Sequence, residues 1–233
     1  MDLLWDGVSQ AFWLIVKGDR EVWRIVLLSL QVSSSATLIS VLIGIPVGAF
    51  LGLSRFKGSM LTIALINTGM SAPPVVVGLL VSIVLWRSGP LGVLNLIYTP
   101  AAMIVAQVII ATPIITGVSM AAIAQLDPKL RLQMLGLGAS RLQMLWTLFQ
   151  EARLPLLTAV MAGFGGVISE VGAVMMVGGN IKDHTRVLTT SIVMEAGRGN
   201  FGLAIAMGII LIAIAFLITL GLTILQQKGR LQR

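Results

Sequence analysis

The chain has 233 residues, of which 57% are hydrophobic and 11% are charged, and its mean hydropathy is +0.98. Soluble domains carry about 25% charged residues, so this composition indicates a protein that is solvated mainly by lipid. Cysteine is absent and His184 is the single histidine, so disulfides and Cys-ligated metals are excluded and no metal site is expected. The net charge of +7 is expected to reflect membrane topology rather than nucleic-acid binding.

Five apolar stretches are long enough to cross a bilayer core of about 30 Å, which requires about 20 residues of helix. They lie within or near residues 24–53, 60–86, 101–124, 155–178 and 203–226. The segment 3–16 is shorter and carries an acid and two Trp, so we predict a helix at the membrane interface. The sequence therefore predicts an all-α polytopic membrane protein with about five transmembrane helices in a single domain, 1–233.

The Lys and Arg residues of the connections predict the orientation of the chain in the membrane. One side would hold nine bases and two acids, and the other would hold seven bases and six acids. The more basic side is expected to be cytoplasmic, which places the N-terminus outside and both residues 127–155 and the C-terminus inside. The longest outer connection, 179–202, mixes Gly and polar residues around a partly apolar centre, and we expect a loop that dips back towards the membrane.

A basic helix–turn–helix is predicted between the third and fourth spans. Asp127 can cap a helix that has Pro128 at its first position, where the missing N–H costs nothing. Gly136 or Gly138 can take the left-handed conformation that ends this helix, and Ser140 can cap a second one. The second helix carries an apolar stripe at spacings of three and four, formed by Leu142, Leu145, Trp146 and Phe149. This stripe would either pack on its own protein or dock into a groove on a cytoplasmic partner.

The same segment resembles the coupling loop of ABC importer permeases, whose pattern runs E-A-A-x-x-x-G and ends near F-x-x-I-x-L-P. Gly138-Ala139-Ser140 match the G-A-S centre, and Phe149 with Leu154-Pro155 match the end. Leu132-Gln133-Met134 replace E-A-A, and the spacing from Gly138 to Phe149 is longer than usual by about four residues, or one helical turn. The resemblance implies coupling helices at 127–152 that contact an ATPase through Gly138, Ala139, Ser140, Arg141, Leu142, Leu145, Trp146 and Phe149.

Two further stretches resemble permeases for molybdate, sulfate and tungstate. Residues 165–192 resemble their E-F-G-A … G-N-I … T-R-T-L segment, and residues 71–80 resemble their PPxVxG segment in the second span. The matching positions in the first of these are Glu170, Gly172, Ala173, Gly179-Asn180-Ile181, Thr185-Arg186 and Leu188, whereas Val171 replaces Phe. The small size and the lengthened coupling loop look most like the tungstate branch.

The resemblance implies a fold, a function and a set of partners. The fold would be the ABC importer permease (MetI-like) fold, and a homodimer would form the path for a tetrahedral oxyanion, with tungstate first and molybdate or sulfate as alternatives. Transport would proceed by ATP-driven alternating access. The implied partners are two copies of a cytoplasmic ABC ATPase, an extracytoplasmic oxyanion-binding protein and the lipid of a prokaryotic cytoplasmic (inner) membrane.

ATP chemistry is not expected in this chain. No G-x-x-x-x-G-K-[ST] phosphate loop occurs, so ATP and Mg²⁺ would be bound by the partner ATPase and this subunit would not be an enzyme. An ATPase-independent channel or scaffold is the alternative from another class, and it would not need coupling helices. A membrane-embedded hydrolase ranks below both, because His184 lies outside the spans.

Polar and helix-breaking residues inside the spans are candidates for the translocation path. We expect Glu170 to pair with backbone amides, Ser169 or a basic residue and to mark a helix break near Gly172, with a purely structural capping role as the alternative. Pro73-Pro74 must disrupt the second span, as part of the path or as a packing kink. The third span admits the same two interpretations at its Thr-Pro pair. The candidate set is Asn67, Ser71, Pro73, Pro74, Thr112, Glu170 and Gly172.

Two bases of the outer connection, Lys182 and Arg186, could contact an anion that leaves a binding protein. The alternative is that both are solvated loop charges, which contribute little.

Overall fold

The computed structural model describes residues 2–54 and 56–231, and within these ranges the regular secondary structure is entirely helical. The eleven α-helices are α1 (Asp2–Val16), α2 (Arg20–Leu53), α3 (Ser59–Met70), α4 (Pro74–Leu85), α5 (Pro100–Ala124), α6 (Pro128–Gly136), α7 (Arg141–Glu151), α8 (Arg153–Ile168), α9 (Gly172–Gly178), α10 (Leu188–Gly197) and α11 (Phe201–Leu231). A short 3-10 turn, Gly92–Leu94, lies between α4 and α5. The predicted all-α class is confirmed.

Three helices are each long and apolar enough to cross a membrane: α2, α5 and α11 over Phe201–Gln227. Two bent pairs reach that length together, α3 with α4 at an angle of 99° and α7 with α8 at 68°. By length and composition the part of the chain that the structure describes therefore has three to five spans, in agreement with a polytopic membrane protein.

The second span is broken where the sequence places two prolines. α3 ends at Met70 and α4 begins at Pro74, whose missing amide would have had no helical partner in the first turn. The third span differs, because α5 continues through Pro113 without a break. Gly69 of α3 lies against that ring, and a Cβ on Gly69 would come within 2.9 Å of Pro113 Cβ.

The core is built on the packing of α2 along α5. Three glycines of α2 occur at intervals of four and so share one helix face: Gly44, Gly48 and Gly52. A Cβ on Gly48 would lie 2.6 Å from the backbone oxygen of Thr116, and one on Gly52 would lie 2.8 Å from that of Met120. The two backbones approach this closely only because glycine has no side chain, as is common between membrane helices.

The N-terminal helix forms as expected and packs on the last helix. Gly7 and Ala11 face α11, whereas Trp5, Phe12 and Trp13 are more than half exposed. The placement of this helix at the membrane interface stays a prediction, as does the assignment of the whole chain to one domain.

The expectation of a loop across 179–202 is wrong in part, because Leu188–Gly197 form α10. Hydroxyl groups satisfy the backbone amides at the start of this helix. Thr190 Oγ1 accepts a hydrogen bond from Val187 N at 3.1 Å, and Ser29 Oγ of α2 accepts one from Leu188 N at 2.8 Å. The start of α10 can therefore be buried without leaving these two backbone amides unpaired.

Candidate translocation and coupling sites

Glu170 lies in the short break between α8 and α9 and is only 9% exposed. Its Oε1 accepts a hydrogen bond of 2.9 Å from the backbone amide of Ala173, and its backbone oxygen accepts one of 2.9 Å from Thr189 Oγ1. A carboxylate at this position is favourable, because the N-terminal end of a helix carries a partial positive charge. Of the partners expected from the sequence, the structure shows the backbone amide, and Ser169 Oγ donates to Gly165 O instead. The expected break near Gly172 is present.

Gln107 of α5 holds the other side of this break, and the sequence reasoning did not identify it. Its Nε2 donates a hydrogen bond of 3.0 Å to the backbone oxygen of Val167, in the last turn of α8. Carbonyls at the end of a helix have no partner within the helix, so a buried donor from a neighbouring helix satisfies one of them. The available signal was the single amide side chain of a span whose other polar residues are Thr and Ser.

The break between α3 and α4 and the break between α8 and α9 meet where α4 and α9 begin. A Cβ on Gly172 would lie 2.5 Å from Val75 Cγ2, and one on Gly78 would lie 2.6 Å from Ala173 Cα. The first turn of α4 therefore packs against the first turn of α9. The structure thereby brings Pro74, Gly172 and Glu170 into one region.

Three of the remaining path candidates, Asn67, Ser71 and Pro73, lie from the last turn of α3 to the start of α4, and Thr112 lies on α5. Asn67 and Ser71 are exposed near the end of α3, where Ser71 Oγ donates to Asn67 O at 3.2 Å. Thr112 Oγ1 donates to Val108 O at 2.7 Å and lies 3.3 Å from Ser40 Oγ of α2. Thr112 therefore contacts its own helix and α2, as expected for a residue between packed helices. Its place in the path stays a prediction.

The segment expected to couple to an ATPase is a pair of helices, α6 and α7, with the caps that the sequence indicated. Asp127 Oδ1 accepts from Lys129 N at 2.9 Å, and Gly138 has the left-handed φ of +74°. Ser140 forms a reciprocal capping box with Gln143: Ser140 Oγ accepts from Gln143 N at 3.3 Å, and Gln143 Oε1 accepts from Ser140 N at 2.8 Å. The S-x-x-Q spacing could have identified Gln143.

The apolar stripe of α7 is divided between two environments. Phe149 packs against an internal cluster that includes Ala122 and Leu156, whereas Leu142 is 78% exposed and Trp146 is 65% exposed. The residues of α7 that are buried are Met144 and Leu148, which the stripe did not include. Part of the predicted stripe thus packs on its own protein, and part is open to a partner.

Lys182 and Arg186, for which the sequence suggests an anion contact, share one carboxylate of α2. Lys182 Nζ lies 2.8 Å from Glu21 Oε2, and Arg186 Nη1 lies 3.4 Å from Glu21 Oε1. The Lys182 side chain is 57% exposed, but that of Arg186 is only 12% exposed. A third ion pair, Arg24 with Asp183, ties the same loop to α2. Any contact of these bases with an anion must therefore compete with Glu21, which the sequence reasoning did not single out.

Residues 44–230 match the protein family described as binding-protein-dependent transport system inner membrane component. The chain is 41% identical to the tungstate uptake system permease protein TupB of Peptoclostridium acidaminophilum, over 98% of this chain and 100% of that protein. It is 35% identical to TupB of Campylobacter jejuni, over 93% of this chain and 90% of that one. A probable anion ABC transporter permease protein of Haloferax volcanii is 42% identical over 80% of this chain and 82% of its own length.

Among solved structures, an inward-facing conformation of the MetNI methionine ABC transporter superposes with a TM-score of 0.75 at 21% identity, covering 94% of this chain and 97% of that one. An amino acid ABC transporter superposes with a TM-score of 0.64 at 19% identity, covering 95% and 98% of the two chains. These similarities show the fold, so the expected ABC importer permease fold is confirmed. The chain therefore belongs to the family of binding-protein-dependent transport system inner membrane components, as a multi-pass permease subunit of an ABC importer.

Proposed function

We propose that two copies of this chain form the translocation path of an importer for a tetrahedral oxyanion, and that this oxyanion is tungstate. The observation that supports this substrate is the similarity to two proteins named as tungstate uptake permeases, at 41% and 35% identity over nearly the whole chain. The molybdenum transport permease ModB of Escherichia coli is 28% identical over 72% of this chain. The sulfate transport permease CysT of Synechocystis is 22% identical over 84% of this chain. Molybdate and sulfate are accordingly the alternative substrates.

Energy for transport would come from a separate polypeptide. This chain has no phosphate-binding loop, so ATP and Mg²⁺ would be bound by two copies of a cytoplasmic ATPase. ATP binding would draw the two α6–α7 pairs together and reorient the spans, so that the path opens alternately to the two sides. The exposed Leu142 and Trp146 of α7 are suited to fill a groove on that ATPase. A channel or scaffold would need no such pair of helices.

The placement in the membrane follows from the charges. The N-terminus and the loop that holds Lys182 and Arg186 would face the outside, where an oxyanion-binding protein delivers its ligand. The α6–α7 pair and the C-terminus would lie in the cytoplasm of a prokaryote, because their side carries the larger excess of Lys and Arg.

The path itself would run beside the break between α3 and α4 and the break between α8 and α9. Glu170 has the wrong charge to bind an oxyanion, and its contacts favour a role in holding the start of α9 next to α4. A Glu170→Gln variant that assembles normally and transports at the wild-type rate would exclude a role for the charge in transport.

Reconstitution of the permease with its ATPase and binding protein in lipid vesicles tests the proposal. We expect ATP hydrolysis to be stimulated by tungstate at a lower concentration than by molybdate or sulfate. Stimulation by sulfate at an equal or lower concentration would overturn the choice of tungstate. Failure of the wild-type permease to retain any ATPase in a pull-down would overturn the importer mechanism, and Gly138→Asp is the matched variant that should lose the ATPase.

A further inference from the structure

A small buried cavity lies where α2, α5 and the break between α8 and α9 meet. Ser33, Gln107, Glu170 and Thr189 supply polar groups to its wall. Its volume is about 10 Å³, which is close to the minimum of about 10–15 Å³ that one water molecule requires. A tetrahedral oxyanion is several times larger, so the transported ion cannot occupy it.

The orientation of the Gln107 side chain is fixed by its contact with α8. Val167 O can only accept a hydrogen bond, so the amide nitrogen of Gln107 must face it at 3.0 Å and the amide oxygen must point away. Gln107 is 3% exposed, and within the part of the chain that the structure describes its Oε1 has no hydrogen-bond partner. A buried acceptor that lacks a partner is costly, and such groups in native proteins are usually satisfied by ordered water.

Two further groups at the cavity have unused hydrogen-bonding capacity. Glu170 uses Oε1 to cap α9, and Oε2 receives no donor from the residues in the described ranges. Ser33 as a whole residue is 3% exposed, and its hydroxyl likewise makes no hydrogen bond to those residues. Thr189 differs, because its hydroxyl already donates to Glu170 O at 2.9 Å.

We propose that the cavity holds one buried water molecule. The water donates its two hydrogens to Gln107 Oε1 and to the Glu170 carboxylate, and it accepts a hydrogen bond from the Ser33 hydroxyl. Two unpaired acceptors and one unpaired donor match the capacity of a single water, and buried waters make about three hydrogen bonds on average. The site joins α2, α5 and the α8–α9 break, and it does not depend on which ion is transported.

A structure of the complete transporter at a resolution that shows ordered waters tests the site directly. We expect one density peak at hydrogen-bonding distance from Gln107 Oε1, Glu170 and Ser33 Oγ. An empty cavity in a map with clear waters elsewhere would overturn the proposal. A peak with five or six oxygen ligands would also overturn it, because it would indicate a cation instead of water.

The midpoint of thermal unfolding of the assembled transporter gives a second test, because a cavity that holds water and a dry cavity predict opposite changes when a methyl group is added. Ser33→Thr keeps the hydroxyl and adds a methyl group to the cavity. If water is displaced, two buried acceptors lose their partner, and the midpoint of thermal unfolding falls while the density peak disappears. A midpoint that is unchanged or raised, as expected when a methyl group fills a dry void, would contradict the proposal. Ser34→Thr is the matched control, since Ser34 is the exposed neighbour on the same helix.

Discussion

Glu170 Oε1 lies 2.9 Å from the backbone nitrogen of Ala173, across the turn in which α8 stops and α9 begins. The same residue is held through its backbone oxygen by Thr189 of α10. One acidic residue thus connects the break between α8 and α9 both to α9 and to α10. The contacts explain why an acid can be retained inside an apolar span, where an unpaired charge is costly.

Substitution of Glu170 is therefore expected to reduce stability in a graded manner. Glu170→Ala removes the acceptor for Ala173 N, and loss of a helix cap costs about 0.5–2 kcal/mol. Glu170→Gln keeps an oxygen at the same position and should cost less. Thermal unfolding of the detergent-purified permease should rank the midpoints as wild type, then Gln, then Ala. An Ala variant as stable as the wild type would show that the cap contributes nothing.

Gly48→Ala is expected to separate α2 from α5. The new Cβ would lie 2.6 Å from Thr116 O and 2.9 Å from Met120 N, which are backbone atoms that cannot move aside. Overpacking of this kind costs about 1–3 kcal/mol. The amount of folded permease recovered from membranes and its unfolding midpoint should both fall.

The matched control is Gly208→Ala in α11, where a Cβ would meet no heavy atom within 4 Å among the residues that the structure describes. Alanine is the better helix former by about 1 kcal/mol, so this variant should be at least as stable as the wild type. If both variants lose stability equally, the close approach of α2 and α5 is not the cause.

The sequence predicted those parts of the fold that depend on local chemistry. The apolar lengths indicated the spans, Pro73-Pro74 indicated the break between α3 and α4, and Asp127 and Ser140 indicated the starts of α6 and α7. Each of these signals comes from neighbouring residues and needs no tertiary contact. Glu170 indicated the break between α8 and α9, because a buried charge requires partners.

The features that were missed depend on contacts between distant residues. The start of α10 is stabilised by Ser29, and the end of α8 is satisfied by Gln107, which lies on another helix. Periodicity also cannot tell which side of an apolar stripe faces the protein. For that reason Phe149 and Trp146 were placed together, although only Trp146 is mainly exposed.

Trp146 and Phe149 should give opposite results when each is replaced by Ala. Trp146 is 65% exposed, so its removal should leave the unfolding midpoint nearly unchanged and weaken retention of the ATPase. Interface hot spots are enriched in Trp and cost about 2 kcal/mol or more when truncated. Phe149→Ala should instead lower the midpoint, because it removes packing against Ala122 and Leu156. A pull-down and an unfolding curve for each variant measure both effects, and loss of stability in Trp146→Ala would refute this division of the stripe.

Lys182→Met and Arg186→Met are expected to differ in stability although both remove an ion pair with Glu21. Exposed pairs contribute about 0–1 kcal/mol, so the loss of Lys182 should be nearly silent. Arg186 is largely buried, and Met at that position fills less of the packed volume and removes the ion pair of 3.4 Å with Glu21. Unfolding midpoints should therefore fall more for Arg186→Met, and equal midpoints would show that burial of this side chain adds nothing.

Glu21→Gln tests whether Lys182 and Arg186 contact the anion. Both bases lose the carboxylate that they share, at 2.8 Å and 3.4 Å, so less competition should remain for an arriving dianion. At a low concentration of tungstate-loaded binding protein, uptake into vesicles should rise, and the increase should shrink at high salt because exposed charges are screened. Asp183→Asn is the control, since Asp183 pairs with Arg24 on the same surface. Unchanged or lower uptake by Glu21→Gln, with normal assembly, would assign Lys182 and Arg186 to holding the loop before α10 on α2.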